Sequence, residues 1–137
     1  MTPQALADLH EAAFDLDRAW SAEEFRALLD SPHCHLTSAP GGFALWRAVA
    51  GEAELLTIAT DPAHQRQGIA TGLMRQWMQT AATQADTAFL EVAADNAPAI
   101  ALYSAFRFET VASRPRYYAR PGTHVDALVM RARLPLL

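Results

Sequence analysis

The stretch Gln65-Arg66-Gln67-Gly68-Ile69-Ala70 lies between the apolar run Glu54-Leu55-Leu56-Thr57-Ile58-Ala59-Thr60 and a segment whose apolar residues recur at helical spacing. A strand that passes through a short basic, glycine-containing turn into a helix builds an anion site. The first N–H groups of the helix are free, and the positive end of its dipole points at whatever binds there. Gly68 lets a phosphate approach the main chain where a side chain would obstruct it. Neither GxxxxGK[ST] nor GxGxxG occurs, which sets aside the nucleotide P-loop and the dinucleotide fingerprint.

Working outward, Ala70, Leu73, Met74, Trp77 and Ala81 share one face of a helix predicted from Gly68 to about Thr83. Upstream, Thr2-Pro3 is a helix start, and Leu6, Leu9 and Ala13 follow at helical spacing. Ser21-Ala22-Glu23-Glu24 is a capping-box signature for a second helix that carries Phe25, Leu28 and Leu29 inward, and Ser31-Pro32 ends it. Strands are expected at His35–Ser38, at Gly42–Val49 after the turn Pro40-Gly41-Gly42, and at about Ala53–Thr60 after Gly51-Glu52. Phe89-Leu90-Glu91-Val92 reads as a central strand, and Asn96-Ala97-Pro98 opens a helix to about Phe106. Strands at about Phe108–Arg116 and Val125–Arg133 follow. This order predicts one α/β (α+β) domain: a mixed, mostly antiparallel central sheet with helices on both faces.

The 137 residues suffice for one domain that buries its core without disulfides or a structural metal. A net charge of -4 argues against nucleic acid as the main partner. Cys34 is the only cysteine, so no disulfide framework and no cysteine-based metal site is expected, and a reducing compartment fits. No apolar run is long enough for a membrane span, and Met1-Thr2-Pro3-Gln4 lacks the features of a signal peptide; a cytoplasmic protein is expected.

The Q-x-x-G-x-A turn, with the motifs after it, resembles the GCN5-related N-acetyltransferases. Within them the chain looks most like the RimI-type ribosomal-protein-alanine N-acetyltransferases. The resemblance runs from about Glu54 to the end. It rests on Leu55–Ala59 with Asp61-Pro62 and Gln65–Gly68, on Leu90-Glu91-Val92, on Asn96–Tyr103, on Arg116-Tyr117-Tyr118 and on Asp126–Met130. It implies an acetyl-CoA-dependent enzyme acting on the N-terminal α-amine, of an alanine, of a small-subunit ribosomal protein. The same fold also serves small-molecule amines or non-catalytic acetyl-CoA binding, and both stand as alternatives.

By this resemblance, main-chain groups of Ile58, Ala59 and Thr60 hold the pantetheine arm as an added strand would. Arg66, Gln67, Gly68, Ile69, Ala70 and Thr71 take the pyrophosphate, and Asn96 contacts the cofactor while also capping its helix. No metal is implied. An N-terminal ammonium must lose a proton before it attacks a thioester, and Glu91, interrupting an apolar strand, matches the family's general base. Read without the family, Glu91 is a solvent-facing residue or an arginine's partner. Tyr103 matches the general acid for the departing thiolate; without the family it is a core aromatic.

Other residues read plainly. Cys34 is an inert thiol with no paired base, and His33 and His35 beside it lack zinc spacing. His64 and His124 are expected on loop surfaces. Trp20, Tyr117 and Tyr118 either pack or wall the acceptor groove. Glu11, Asp15, Asp17 and Asp126 either face a basic peptide or form a solvated face. Two features depart from the family: only Met1-Thr2 precedes the Pro3 helix, so that either the sheet lacks the usual first strand, which leaves His35–Ser38 at an edge, or the chain's start is shortened or misassigned; and Arg107 stands where a glycine is usual before Phe108.

Overall fold

The structure, a computed structural model, describes residues 1–14, 17–65 and 67–135. Its six strands are β1 (Cys34–Ala39), β2 (Gly42–Val49), β3 (Glu52–Thr60), β4 (Thr87–Ala93), β5 (Glu109–Arg120) and β6 (Thr123–Arg133). They form one sheet in the order β1-β2-β3-β4-β6-β5. Only β3 and β4 run parallel; every other pair is antiparallel. Among the described residues no strand precedes the first helix, and β1 is an edge of the sheet.

Four helices cover the sheet: α1 (Pro3–Ala13), α2 (Ala22–Leu29), α3 (Ile69–Ala81) and α4 (Ala97–Ala105). Thr2 caps α1 by accepting from the Ala5 N–H, with Pro3 in the first turn. Ser21 and Glu24 make a reciprocal capping box on α2, and Arg18 forks onto the Glu24 carboxylate at 2.6 and 2.9 Å. That guanidinium and the Ser21 N–H hold the Glu24 carboxyl down at about 2.

Two cores lie on opposite faces of the sheet. On one, Trp46, Ala53, Leu55, Leu90, Val92 and Met130 pack against Leu73, Met74 and Trp77 of α3 and Tyr103 and Phe106 of α4. On the other, Phe43, Leu45 and Ala59 meet Leu6 of α1 and Phe25 of α2. Strand β3 serves both faces by changing phase. Leu45 opposes Thr57 and Trp46 opposes Leu55, so Leu56 is an extra, bulged residue. Ala53 and Leu55 belong to the α3 face before the bulge; after it Ile58 does, while Leu56 and Ala59 turn toward α1.

Helix α3 starts one residue later than predicted, at Ile69, because Gly68 is left-handed at φ 76° and stands just outside it. Its last turn also closes earlier, at Ala81. The C-terminal hairpin is longer than predicted: β5 continues to Arg120 and β6 begins at Thr123. The register slips between Arg114 and Tyr118, and this bulge admits Pro115, which would otherwise break the ladder.

Two residues beyond the end of α4, Arg107 takes the left-handed position that the family pattern gives to a glycine. Arg107 has φ 67°, its N–H donates to the Ser104 carbonyl, and the Phe108 N–H reaches back to Tyr103. These two bonds and the Tyr103–Phe108 ring contact at 6.1 Å make a Schellman ending. A non-glycine residue there costs roughly 1 kcal/mol. Arg107→Gly therefore raises Tm by about 3 °C in a thermal melt; an unchanged or lower Tm contradicts this.

Charge is unevenly spread along the chain. Residues 1–106 hold five of the eleven basic residues and thirteen of the fifteen carboxylates, whereas residues 107–137 hold six arginines and two carboxylates. The net charge of -4 therefore conceals a basic C-terminal hairpin.

Candidate active site

The parallel partners β3 and β4 pair only over Glu52–Glu54 and Thr87–Phe89, and then splay apart. Beyond that point the β4-facing main-chain groups of β3 have no strand beside them. The gap opens into a cleft of about 590 Å³. Leu55–Thr60 of β3 line one wall and Leu90–Ala93 of β4 the other. Ile58, Ala59 and Thr60 thus lie along an unpaired strand edge, the arrangement an extended ligand arm can bond to.

Helix α3 points its N-terminus into the same cleft, where Gly68, Ile69, Ala70 and Thr71 are among the lining residues. The first intrahelical bond is from the Gly72 N–H to the Gly68 carbonyl, so the N–H groups of Ile69, Ala70 and Thr71 have no acceptor within the helix. Side chains cap α1, α2 and α4, but no side chain caps α3 and its first turn holds no acid. A Cβ on Gly68 would meet nothing within 4 Å. This uncapped positive end, open to the cleft, fits an anion such as a pyrophosphate. Gly42 sets how near α3 lies: a Cβ there would come to 2.8 Å from Ile69 Cγ2 and 3.0 Å from the Ala59 carbonyl. Gln67 is exposed and not among the lining residues, and Arg66 lies outside the described residues.

Glu91 and Tyr103 both line the cleft. They reach it from opposite faces of the sheet. Leu90 and Val92 point into the α3 face, so Glu91 between them points to the α1 face, while Tyr103 comes from α4 on the α3 side. The splay is what lets one cavity include both. Tyr103 is buried, and burial, with Tyr118 nearby, pushes its phenol well above the usual tyrosine range, so it stays protonated. Glu91 is partly exposed and faces the Arg114 guanidinium at 3.0 Å, the arginine partnership that the sequence left open. Asn96 caps α4 by accepting from the Ala99 N–H and lines the cleft too.

In and beside the cleft are residues that the sequence reading did not single out. His10, 1 % exposed, bridges three segments. The Trp20 N–H donates to its Nδ1 at 3.0 Å, so the ring proton is on Nε2, which donates to Thr57 Oγ1 at 3.0 Å. Burial lowers the His10 pKa to about 4, and a neutral ring suits both bonds. The unfolded chain takes up this proton near pH 6.5, so stability is full above that value and falls as pH drops from 6.5 toward 4. The loss is about 3 kcal/mol. Denaturation between pH 7 and 4 is expected to show a smaller fall for His10→Gln than for the wild type; parallel slopes contradict the assignment.

Arg120 is the second such residue, its side chain 8 % exposed. Its Nε and Nη2 fork onto Asp95 at 2.9 and 3.0 Å, and its Nη1 reaches Asp17 at 2.9 Å. It thereby ties the segment after α1 to the β4–α4 loop beside Asn96. Its guanidinium also lies 5.8 Å from the Tyr118 ring centre. Tyr118 and Trp20 line the cleft, and Trp20 packs on His10 and Phe25 as well. Tyr117 is 53 % exposed and is not among the lining residues.

The remaining acids and histidines divide clearly. Asp17 serves Arg120, and the Asp126 carboxylate accepts from the Arg116 N–H at 3.0 Å, holding the left-handed bulge residue of β5. Asp126 therefore offers a fold contact rather than a face for a basic peptide. Glu11 is exposed, and Asp15 lies outside the described residues. His124 is on the surface, but in strand β6 rather than in the expected loop; His64 is half-exposed but does line the cleft. Among the described residues no cluster of three or more metal-ligating side chains occurs, and no helix is long and apolar enough to cross a membrane.

Residues 4–108 match the Acetyltransferase (GNAT) family. The chain is 36% identical over 137 residues to the N-alpha-acetyltransferase RimI of Mycobacterium tuberculosis, covering 93% of this chain and 84% of that protein. It is 37% identical over 134 residues to the uncharacterized protein ML0378 of Mycobacterium leprae, of which it spans about a third (36%). The crystal structure of the ribosomal-protein-S18-alanine N-acetyltransferase from Escherichia coli superposes with a TM-score of 0.87 at 28% identity, over 98% of this chain and 89% of that one. The fold, the splayed strands and the sequence match agree, and the chain belongs to the GNAT family of acetyltransferases.

Proposed function

We propose that this chain transfers the acetyl group of acetyl-CoA to the N-terminal α-amine of a protein, an alanine of a small-subunit ribosomal protein. The observation that carries it is the single cleft in which an unpaired strand edge, an uncapped helix N-terminus, a carboxylate and a protonated phenol all meet. The relatives supply the acceptor: one is named an N-alpha-acetyltransferase, and the Escherichia coli structure is of an enzyme acting on ribosomal protein S18 alanine.

Acetyl-CoA enters as a co-substrate, its pyrophosphate on the N–H groups of Ile69, Ala70 and Thr71 and its pantetheine arm along Ile58–Thr60. The acceptor amine arrives on the α1 face, between Glu91 and the wall made by Trp20 and Tyr118. Glu91 accepts a proton from the ammonium, directly or through one water. The freed nitrogen lone pair attacks the thioester carbon; a β3 main-chain N–H stabilises the developing oxyanion. As the carbon–sulfur bond breaks, Tyr103 gives its proton to the thiolate, and the nitrogen releases its second proton to solvent. The phenol regains its proton from solvent and Glu91 gives up the one it took, which leaves one net proton released per turnover. No covalent acyl-enzyme is needed, consistent with Cys34 lying on β1 outside the cleft-lining residues.

The test is a panel of amines: an Ala-starting peptide, the same peptide with a blocked α-amine, free polyamines and aminoglycosides. Transfer confined to the free α-amine of the peptide is expected. A kcat/KM higher for a small amine than for the peptide overturns the acceptor assignment. In the same assay Tyr103→Phe is expected to cut kcat by about 100-fold, the scale of one lost proton donor, with acetyl-CoA affinity unchanged.

A further inference from the structure

We propose that Arg114 is a displaceable placeholder for the acceptor's ammonium, occupying Glu91 in the free enzyme and leaving when the substrate binds. The proposal rests on the reading of Glu91 as the base. The Arg114 guanidinium lies 3.0 Å from Glu91 Oε1, on the carboxylate that must receive the acceptor's cation. A guanidinium and a primary ammonium are both cationic N–H donors, so they compete for one carboxylate and repel each other beside it.

Three observations indicate that this arginine moves rather than stays. Its side chain is 57 % exposed, and its one ion pair among the described residues, with Glu91, belongs to a class of contact worth little in water. The contrast with Arg120 on the same strand is direct: that side chain is 8 % exposed and held by two carboxylates. Second, Arg114 is the last residue in register before the β5 bulge. Pairing resumes only at Tyr118, across Pro115, which has no N–H, and Arg116, which is left-handed at φ 54°. Third, an alternative seat exists. The Arg114 guanidinium carbon is 5.5 Å from the ring centre of exposed Tyr117, a cation–π position it can keep when Glu91 is taken by another cation. This gives a role to Tyr117, which is exposed and not among the cleft-lining residues.

The consequence is a barrier to the wrong amines as well as a brake on the right one. A weakly held amine does not displace Arg114, whereas a peptide whose following residues also bind the groove does.

Steady-state kinetics with the Ala-starting peptide test this in Arg114→Gln and Arg114→Lys. The glutamine variant, with no cation to displace, is expected to lower the peptide KM about three- to tenfold with the acetyl-CoA KM unchanged. The lysine variant restores the wild-type value. Added methylguanidinium then refills the vacated seat: it inhibits Arg114→Gln competitively against the peptide, at concentrations that leave the wild type nearly unaffected. A peptide KM that rises or stays the same in Arg114→Gln, while Glu91→Gln is inactive, overturns the placeholder and leaves Glu91 as the base. A fully active Glu91→Gln overturns the reading beneath both.

Discussion

Glu91→Gln is expected to lower kcat by about 100- to 10,000-fold, the range for loss of a general base, while acetyl-CoA binds with unchanged affinity. The separation follows from where the groups sit. Glu91 points to the α1 face of the sheet, whereas the anion-binding end of α3 and the unpaired edge of β3 are built from main-chain groups that glutamine at position 91 does not touch. Glutamine keeps the size and a hydrogen-bonding oxygen but cannot take a proton at neutral pH. An N-terminal amine, with a pKa of about 7.7–8.0, is then left largely as its unreactive ammonium. Folding is not at stake, because Glu91 is partly exposed and its ion pair with Arg114 lies at the surface. Turnover within threefold of wild type in Glu91→Gln, with acetyl-CoA binding measured calorimetrically, contradicts the assignment.

Trp77→Ala has the largest expected effect on stability, about 3–5 kcal/mol, which for a domain of this size lowers Tm by about 10 °C or more. Trp77 is fully buried on α3, with its indole N–H donating to Met74 Sδ. Its ring lies 6.2 Å from Trp46 of β2 and 6.5 Å from Phe108, centre to centre. Phe108 in turn contacts the Tyr103 ring through the Schellman ending of α4. One aromatic chain therefore runs from the sheet through α3 to the candidate acid. Alanine at 77 is expected to cost activity at temperatures where the variant is still folded, because Tyr103 loses the packing behind it. A Trp77→Ala melt within 2 °C of wild type contradicts this account of the core.

The elements around Gly68 were legible because local chemistry fixes them. A left-handed residue at a strand-to-helix turn calls for glycine, and Leu73, Met74 and Trp77 repeat at the period of a buried helix face. Ser21 with Glu24, and Asn96 with Pro98, mark their helices for the same reason. Arg107 was legible only against the family pattern, and its φ of 67° is the position expected of the usual glycine. The far end of β5 was not legible, since the strand is exposed along most of its length and shows no alternation, and Pro115 hides the bulge that accommodates it.

At the site, the wall made by β3 and the start of α3 could be read because strand, turn and helix are contiguous. On the other side Trp20 and Tyr118 were legible as candidates, but the contacts that hold that side together were not. Arg120 meets Asp95 across 25 positions and Asp17 across 103, and nothing local marks any of the three. His10 sits on an amphipathic helix like many core residues; only the fold reveals that Thr57, 47 positions away, and the Trp20 N–H occupy both ring nitrogens.

The most direct test of the central claim is the intact mass, followed by fragment mapping, of an Ala-starting ribosomal S18 protein incubated with this enzyme and acetyl-CoA. One added acetyl group, on the α-amine, absent with Glu91→Gln, is the predicted result. Acetyl-CoA binding without any transfer to that amine, or transfer undiminished in Glu91→Gln, would contradict it.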